Sequence, residues 1–298
     1  MSAGLPPNAK TLVGIGDDAA VLATPDGRVV ATTDFLLEGR HFRRDWSSAA
    51  DVGHKAAARS LADCAAMGAE PSALLVALAA PPDLPVSWAR ELAGGLAAEC
   101  ARGGAYVIGG DTARADHVVL AVTGLGDLAG RAPVLRSGAG PGDVVAVAGP
   151  LGHAAAGLAL LEAGLAGDPL VREHLRPAPP YDAGPEAAGL GATAMIDVSD
   201  GLVQDLGHVA GQSGVRIDLE SAQLPRDDAL RAAADALGEL DPLDWILTGG
   251  EDHALAATFP PGVPLPARWS VVGRVSAGHG VRVDSRQARG RSGWQHFC

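Results

Sequence analysis

The sequence has few aromatic residues, few cysteines and no long hydrophobic run. Phe, Trp and Tyr make up 4% of its 298 residues although 47% are hydrophobic, so Ala, Leu and Val must fill the core. The three cysteines, Cys64, Cys100 and Cys298, are odd in number and widely spaced. This spacing excludes a disulfide framework and a CxxC metal pair, and it favours a reducing, cytoplasmic location.

Basic charge is also scarce. The 23 Lys and Arg residues are outnumbered by 35 Asp and Glu residues, which gives a net charge of −12. Binding to nucleic acid needs a basic footprint, so the composition excludes nucleic acid as the main partner. Apolar stretches such as 73–81 are far shorter than the roughly 20 residues of a membrane span, and we expect no membrane partner. Neither lysine, Lys10 nor Lys55, lies in the Gly-Lys-Ser/Thr context of a P-loop.

What the sequence contains instead is acids in glycine turns and at predicted strand ends. Asp17 and Asp18 are adjacent within the turn 14–21, and two carboxylates ~4 Å apart repel by about 4 kcal/mol at a partly buried site. Solvent or a cation must relieve that repulsion. The same pattern recurs at Asp34, Asp63, Asp111, Asp197, Asp200, Glu251 and Asp252. Oxygen-only clusters are typical of hard cations such as Mg²⁺, which bind together with phosphates, so the pattern predicts a magnesium–nucleotide site.

Taken singly, these residues also have ordinary structural interpretations. Asp63 can pair with Arg59 one helical turn away, Asp200 can cap a helix, and the Thr33 hydroxyl can bond to the backbone of a strand. In the same way, Asp111 can be a turn residue, His41 a surface histidine, Glu251 a solvated loop charge and Trp294 a core aromatic. The hypothesis therefore depends on the joint pattern of the acids.

Strand-like and helix-like segments mix along the whole chain, which predicts α/β or α+β layers. β-branched or apolar runs predict strands at 29–34, 73–79, 106–108, 117–123, 144–148, 194–197, 215–219, 245–247, 254–259 and 271–275. Helices are predicted from about Ser47 to Gly68, over 88–102 and 152–164, and after Ser199 or Asp200, where Leu202, Leu206 and Val209 form a buried face. The turn cluster 136–143 predicts a boundary between domains at 1–135 and 136–298.

Eight ordered motifs make the chain recognisable. They are Gly14-Ile-Gly-Asp-Asp-Ala-Ala, Thr32-Thr-Asp34, Glu38-Gly-Arg-His41-Phe42, Ser60-Leu-Ala-Asp63, Gly109-Gly-Asp-Thr112, Arg136-Ser-Gly-Ala-Gly-Pro-Gly-Asp143, Asp197-Val-Ser-Asp-Gly201 and Gly249-Gly-Glu-Asp252. Along nearly the whole chain they resemble the thiamine-monophosphate kinase family, part of the aminoimidazole ribonucleotide synthetase-like superfamily of ATP-binding enzymes.

The resemblance implies a two-domain fold, with an N-terminal domain that binds ATP and Mg²⁺ and forms a homodimer through its strands, and a C-terminal α/β domain. It implies transfer of the γ-phosphoryl group of ATP to thiamine monophosphate, assisted by several Mg²⁺ ions, without a covalent intermediate or an obligate acid–base residue. Matched by motif, the metal positions are Asp18, Thr32, Thr33, Asp34, Asp63, Asp111, Asp197 and Asp200. The ATP contacts are Gly110, Asp111, Arg136 and Ser199, and the contacts to thiamine monophosphate are His41, Glu251 and Trp294.

Two further functions stay open at the level of sequence. The hydrogenase-maturation carbamoyl dehydratase of the same superfamily carries a functional C-terminal cysteine in a Pro-Arg-Ile-Cys ending, whereas this chain reads Gln295-His-Phe-Cys298. A non-catalytic nucleotide-binding regulator would keep the fold and lose the acids, and every acid motif is present here.

Overall fold

The structure is a computed structural model that describes residues 10–15, 19–238, 241–287 and 293. It divides into two compact units: the N-terminal unit extends to Arg131, and the C-terminal unit begins at Ala132 and includes Ala66–Gly68. The predicted boundary at 135/136 lies close to this division. No helix among the described residues is long and apolar enough to cross a membrane.

The N-terminal unit is a sheet with two long helices. Its elements are β1 (Thr11–Val13), β2 (Val21–Leu22), β3 (Val30–Leu37), α1 (Ala49–Ala66), β4 (Glu70–Ala80), α2 (Val86–Arg102), β5 (Tyr106–Arg114) and β6 (Val119–Asp127). Strands β3, β6, β4 and β5 form the sheet in that order, and β1 pairs with β2 in a separate hairpin. β4 and β5 are parallel, so α2 serves as the crossover between them.

Side chains alternate between the two faces of this sheet. Leu36, Leu74 and Val122 lie on the buried face, while Phe35 on the opposite face of β3 is 59% exposed. The two helices approach each other through glycines: a Cβ on Gly95 would lie 2.1 Å from the Ala50 carbonyl oxygen. Only glycine permits this backbone contact between α1 and α2.

The C-terminal unit surrounds a larger mixed sheet with short helices. Its elements are β7 (Val144–Ala148), α3 (His153–Glu162), α4 (Pro169–Leu175), α5 (Ala183–Gly189), β8 (Ala194–Val198), α6 (Leu202–Ser213), β9 (Arg216–Leu219), a 3-10 turn (Ser221–Gln223), α7 (Asp228–Leu237), α8 (Pro242–Thr248), β10 (Ala254–Phe259), β11 (Trp269–Ser276), β12 (Gly280–Val283) and β13 (Arg286–Gln287). The described strands are ordered β13-β12-β9-β11-β7-β10-β8, so β8 lies at an edge.

One secondary-structure prediction is wrong. Residues 245–247 were expected to form a strand, but they lie in α8. Asp241 caps that helix by accepting a hydrogen bond from the Leu243 N–H, and Pro242 occupies its first turn. Asp followed by Pro is a strong signal for the start of a helix. A run of only three apolar residues is too short to distinguish a strand from a helix, so the helix signal prevails.

Candidate active site

In the N-terminal unit, strand β3 and helix α1 bring together three predicted metal positions, Thr32, Asp34 and Asp63, and the hydroxyl of Ser60. The Thr32 hydroxyl donates to Asp63 Oδ2 at 2.5 Å, and the Ser60 hydroxyl donates to Asp34 Oδ2 at 2.8 Å. Thr32 and Asp34 are two apart on a strand and so share one face, while Ser60 and Asp63 are three apart on a helix and also share a face. The result is a pair of half-buried carboxylates, each of which accepts a hydrogen bond from a side-chain hydroxyl.

Thr33 does not join this cluster through its side chain. It lies between Thr32 and Asp34, so the pleat turns its hydroxyl to the opposite face of the sheet. There it donates to the Val122 carbonyl at 3.3 Å, and the Thr123 hydroxyl lies 3.3 Å away. The ordinary interpretation, a strand hydroxyl bonded to backbone, therefore describes this side chain, and a metal role for Thr33 would have to use its main chain.

His41 lies in the turn that follows β3, and its ring has a defined orientation. Its Nδ1 accepts a hydrogen bond from the Leu37 N–H at 3.0 Å, so the neutral ring carries its proton on Nε2. The buried Lys55 ammonium donates to the His41 carbonyl at 3.2 Å. These contacts anchor the turn from both sides.

Gly110 and Asp111 lie on β5, at the other edge of the N-terminal sheet. A Cβ on Gly110 would lie 1.8 Å from the Val76 carbonyl oxygen, and the residue has a φ of +153°, so the strand packing itself requires glycine here. Asp111 is exposed, and its Oδ1 accepts from the Thr112 N–H at 2.7 Å. β6 and β4 lie between β3 and β5, so within this unit two strands separate Asp111 from Asp34.

In the C-terminal unit, the loop between β8 and α6 is organised by a residue without a predicted role, Asp205. Its Oδ2 accepts hydrogen bonds from the backbone N–H groups of Ser199, Asp200 and Gly201 at 3.0–3.1 Å. Gly201 is the residue that precedes the helix, and no side chain caps it, so Asp200 is not the N-cap that its ordinary interpretation required. Burial, reinforced by the nearby charges of Asp197 and Asp200, raises the pKa of Asp205 to about 7.

Asp197 and the loop after α8 lie directly beside this turn. Asp197 is buried at the end of β8, and its Oδ2 is 3.1 Å from Nδ1 of His253. The Glu251 N–H donates to the Ser199 carbonyl at 2.8 Å, and a Cβ on Gly250 would lie 2.5 Å from the same oxygen. Glycine at 250 is therefore required for the two loops to touch, and their contact places Glu251 beside Ser199.

Asp252 has a structural role that its motif did not predict. Its two carboxylate oxygens accept from the Gly152 N–H at 2.5 Å and the Ala154 N–H at 2.8 Å, at the start of α3. Burial raises the pKa of Asp252 to about 6, although both hydrogen bonds act in the opposite direction. Asp252 thus ties the 249–253 loop to a helix and is not exposed to a ligand.

Arg136 lies far from Ser199 within the C-terminal unit. Its carbonyl accepts from the Ser213 hydroxyl at the last residue of α6, whereas Ser199 precedes the first residue of that 12-residue helix. A helix of that length spans about 18 Å. The main chains of these two predicted ATP contacts therefore lie near opposite ends of α6.

The predictions for Asp18 and Trp294 fall outside the described residues. Gly293, the residue before Trp294, is described, and a Cβ there would lie 2.4 Å from the Asp200 carbonyl oxygen. The chain therefore returns to the β8–α6 loop immediately before Trp294.

The donor chemistry of these residues fits Mg²⁺. Among the described residues, no group of three or more His, Cys, Asp or Glu side chains is arranged to hold a metal ion. Mg²⁺ usually takes only one or two carboxylates, completed by phosphates and water, and the Asp34–Asp63 pair has that composition. Cys64 adjoins Asp63 in sequence, but burial, with the charges of Asp63 and Asp34, raises the pKa of its thiol to about 12, so it is not a thiolate ligand.

Comparison with known proteins identifies the family. The model of the AIR synthase related protein, N-terminal domain, matches residues 16–128, and that of the C-terminal domain matches residues 140–285. The thiamine-monophosphate kinase of Mycobacterium tuberculosis is 52% identical over 97% of this chain and 87% of that protein. The chain belongs to the thiamine-monophosphate kinase family.

Solved structures of this kinase family agree with the fold. The thiamine-monophosphate kinase of Stenotrophomonas maltophilia K279a superposes with a TM-score of 0.83 at 35% identity, covering 94% of this chain and 93% of that one. AaThiL complexed with AMPPCP and TMP gives 0.84 at 34% identity, covering 90% and 87%. The hydrogenase maturation protein HypE in complex with ATP gives 0.74 at 19% identity, over 94% of this chain and 89% of that one, which shows a shared fold alone.

Proposed function

We propose that the chain is a thiamine-monophosphate kinase, which transfers the γ-phosphoryl group of ATP to thiamine monophosphate and releases ADP and thiamine diphosphate. The observation that carries the proposal is the 52% identity to such a kinase over 97% of the chain. The family member solved with AMPPCP and TMP supports ATP and thiamine monophosphate as the two substrates. No specific feature favours the carbamoyl dehydratase, whose likeness is at 19% identity, or a non-catalytic regulator.

Magnesium is part of the proposal, with Asp18, Thr32, Thr33, Asp34, Asp63, Asp111, Asp197 and Asp200 as its positions. Bound Mg²⁺ would neutralise phosphate charge and orient the transferring group. The contribution of Asp34 and Asp63 is to hold that charge with carboxylates already oriented by Ser60 and Thr32. Asp205 holds the backbone of Ser199 and Asp200 in one conformation, so these residues need no rearrangement to bind.

The remaining assigned residues position the substrates. Gly110, Asp111, Arg136 and Ser199 are assigned to ATP, and His41, Glu251 and Trp294 to thiamine monophosphate. A phosphate acceptor is already ionised at neutral pH, so no side chain has to remove a proton, and we assign no catalytic acid or base. The transition state is loose, with charge spread over the moving oxygens, so orientation and electrostatics do most of the work.

We further propose that residues 1–135 bind ATP and Mg²⁺ and form a homodimer through their strands, and that residues 136–298 form the second domain. The exposed apolar face of the N-terminal sheet, on which Phe35 lies, supports this surface as the contact. A cytoplasmic location follows from ATP as a substrate and from the spacing of the cysteines.

The test is a direct assay of the purified protein with ATP, Mg²⁺ and thiamine monophosphate. We expect equimolar ADP and thiamine diphosphate, with no product after addition of EDTA. Asp34→Asn should lose on the order of 10²–10³-fold in kcat while folding normally, because the amide oxygen can still accept from Ser60. Asp235→Asn, which removes an exposed acid on α7, is the matched control and should be unchanged. ATP binding without any thiamine diphosphate would refute the assignment.

A further inference from the structure

His253 is a buried histidine in contact with a predicted metal ligand, and it has no assigned role. It follows the Gly249-Gly-Glu-Asp motif, its side chain is 3% exposed, and its Nδ1 lies 3.1 Å from Asp197 Oδ2. Its other ring nitrogen, Nε2, is buried and makes no hydrogen bond to any described residue. Asp197 is therefore the hydrogen-bond partner that fixes the orientation of the ring.

The backbone around His253 is held firmly. Its N–H donates to the Val198 carbonyl at 2.9 Å, which ties it to the residue after Asp197. Its φ of +53° is a left-handed conformation that few non-glycine residues adopt. On its other side, Asp252 is fixed by the two N–H groups at the start of α3. A strained residue held from both sides is typical of functional sites.

The buried Nε2 indicates that His253 does more than fill space. A buried polar atom without a partner destabilises the folded protein, and a leucine or phenylalanine of similar size would avoid that cost. The hydrogen bond to Asp197 is the feature that only a polar side chain supplies. An ionised carboxylate accepts and cannot donate, so the proton of this bond belongs to Nδ1 when Asp197 is charged.

We propose that His253 is a positioning residue for metal binding: its Nδ1–H holds Oδ2 of Asp197 and so fixes the orientation of the carboxylate that would hold Mg²⁺. The inference rests on the proposed function, in which Asp197 is a metal position. Hydrogen bonds from a second layer of residues orient metal ligands in this way in many proteins, and their loss typically weakens metal affinity by 10–100-fold. His253 itself touches neither the metal nor a substrate.

Two substitutions separate this role from packing. Asn at 253 can place its side-chain N–H near the position of Nδ1, whereas Leu fills the space without a donor. Binding of Mn²⁺ in the presence of AMPPCP, followed by electron paramagnetic resonance, measures metal affinity without turnover. We expect His253→Leu to weaken that affinity 10–100-fold and His253→Asn to stay within a few-fold of wild type. The Mg²⁺ concentration that gives half-maximal kinase activity should rise strongly in His253→Leu and only slightly in His253→Asn.

Control variants separate a loss of metal binding from a loss of folding. His153→Asn alters another histidine–aspartate contact of this unit, the 2.7 Å contact with Asp227, and should leave Mn²⁺ affinity unchanged. If His253→Leu does not fold, as judged by thermal unfolding without metal, His253→Gln replaces it, because its longer amide does not match the Nδ1 position. Equal Mn²⁺ affinity in wild type, in His253→Asn and in the folded variant that lacks a donor at the Nδ1 position, whether Leu or Gln, would overturn the proposal. A wild-type protein that binds Mn²⁺ but makes no thiamine diphosphate would refute the kinase assignment instead.

Discussion

Among individual residues, the buried and half-buried acids divide into those that are candidates for metal ligands and those that organise the backbone. Asp34 and Asp63 accept from side-chain hydroxyls, whereas Asp205 and Asp252 accept from backbone N–H groups. The sequence pattern groups Asp34, Asp63 and Asp252 together as acids at turns or element ends and gives Asp205 no role. Only the three-dimensional partners show that the oxygens of Asp205 and Asp252 are committed to loop and helix geometry.

Asp252 makes stability depend on pH. Its pKa is raised from 3.8 to about 6 in the folded protein, so the folded state binds more protons than the unfolded state between these values. Asp252 therefore contributes to the free energy of unfolding at low pH, and this contribution is lost as the pH rises from about 4 to 6. The difference of about two pKa units corresponds to about 3 kcal/mol.

The measurement is the free energy of unfolding of wild type and Asp252→Asn, by denaturant, from pH 4 to pH 7. The amide does not titrate, so the wild-type value should fall by about 3 kcal/mol relative to the variant over this range. Asp235→Asn, at an exposed position, should follow wild type in parallel. A constant difference between wild type and Asp252→Asn would contradict the raised pKa.

The periods of strands and helices explain which motif residues meet in the site, although the residues themselves were assigned from the family motifs. Alternation along a strand puts Thr32 and Asp34 on one face, and the three-residue spacing puts Ser60 beside Asp63. The same alternation shows why the Thr33 side chain faces away. Nothing in the sequence distinguishes His253, because its significance comes from the packing of one loop against another.

Among the elements, the long strands and helices follow from their hydrophobic patterns, and the short helices do not. The predicted segments near β3, α1, β4 and α2 agree with the structure because each has several turns or alternations of signal. Helix α8 was mistaken for a strand, and α4 was not predicted, because the two turns of a seven-residue helix carry little periodicity. Helix α7, with ten residues, was also not predicted. The starts of these three helices are marked by the caps Asp241, Asp168 and Asp227.

Substitution of Gly110 on β5 tests whether this glycine is required for folding or only for nucleotide binding. Its φ and its contact with the Val76 carbonyl both exclude a side chain. Gly110→Ala should therefore destabilise the protein by roughly 2–4 kcal/mol even without nucleotide, from backbone strain and overpacking together. Neighbouring Gly109 meets only the flexible end of Leu75, so Gly109→Ala should cost about 1 kcal/mol or less. Thermal unfolding of the two variants without nucleotide measures this difference. Equal stability of Gly110→Ala and Gly109→Ala would contradict a structural requirement for Gly110.

For the whole molecule, the outer face of the N-terminal sheet is the surface that bears on assembly. Phe35 projects from β3 with 59% of its surface exposed, next to Ala121 on β6, which pairs with Ala77 on β4. An exposed apolar patch of this kind on a sheet face is typical of a protein–protein contact. The family resemblance makes a second copy of the chain the expected partner.

Phe35→Asp places a charge in that proposed contact, and burying it against a second copy would carry a desolvation cost. Because Phe35 is exposed in one chain, its replacement should leave the isolated fold intact. We expect wild type to sediment as a dimer at micromolar concentration, and Phe35→Asp to sediment as a monomer with a lower unfolding temperature, since dimerisation stabilises by mass action. Val86→Asp introduces the same charge at the start of α2, where the side chain is 67% exposed, and should stay dimeric. Dissociation of both variants would indicate a general charge effect, and a dimeric Phe35→Asp would move the interface away from this sheet.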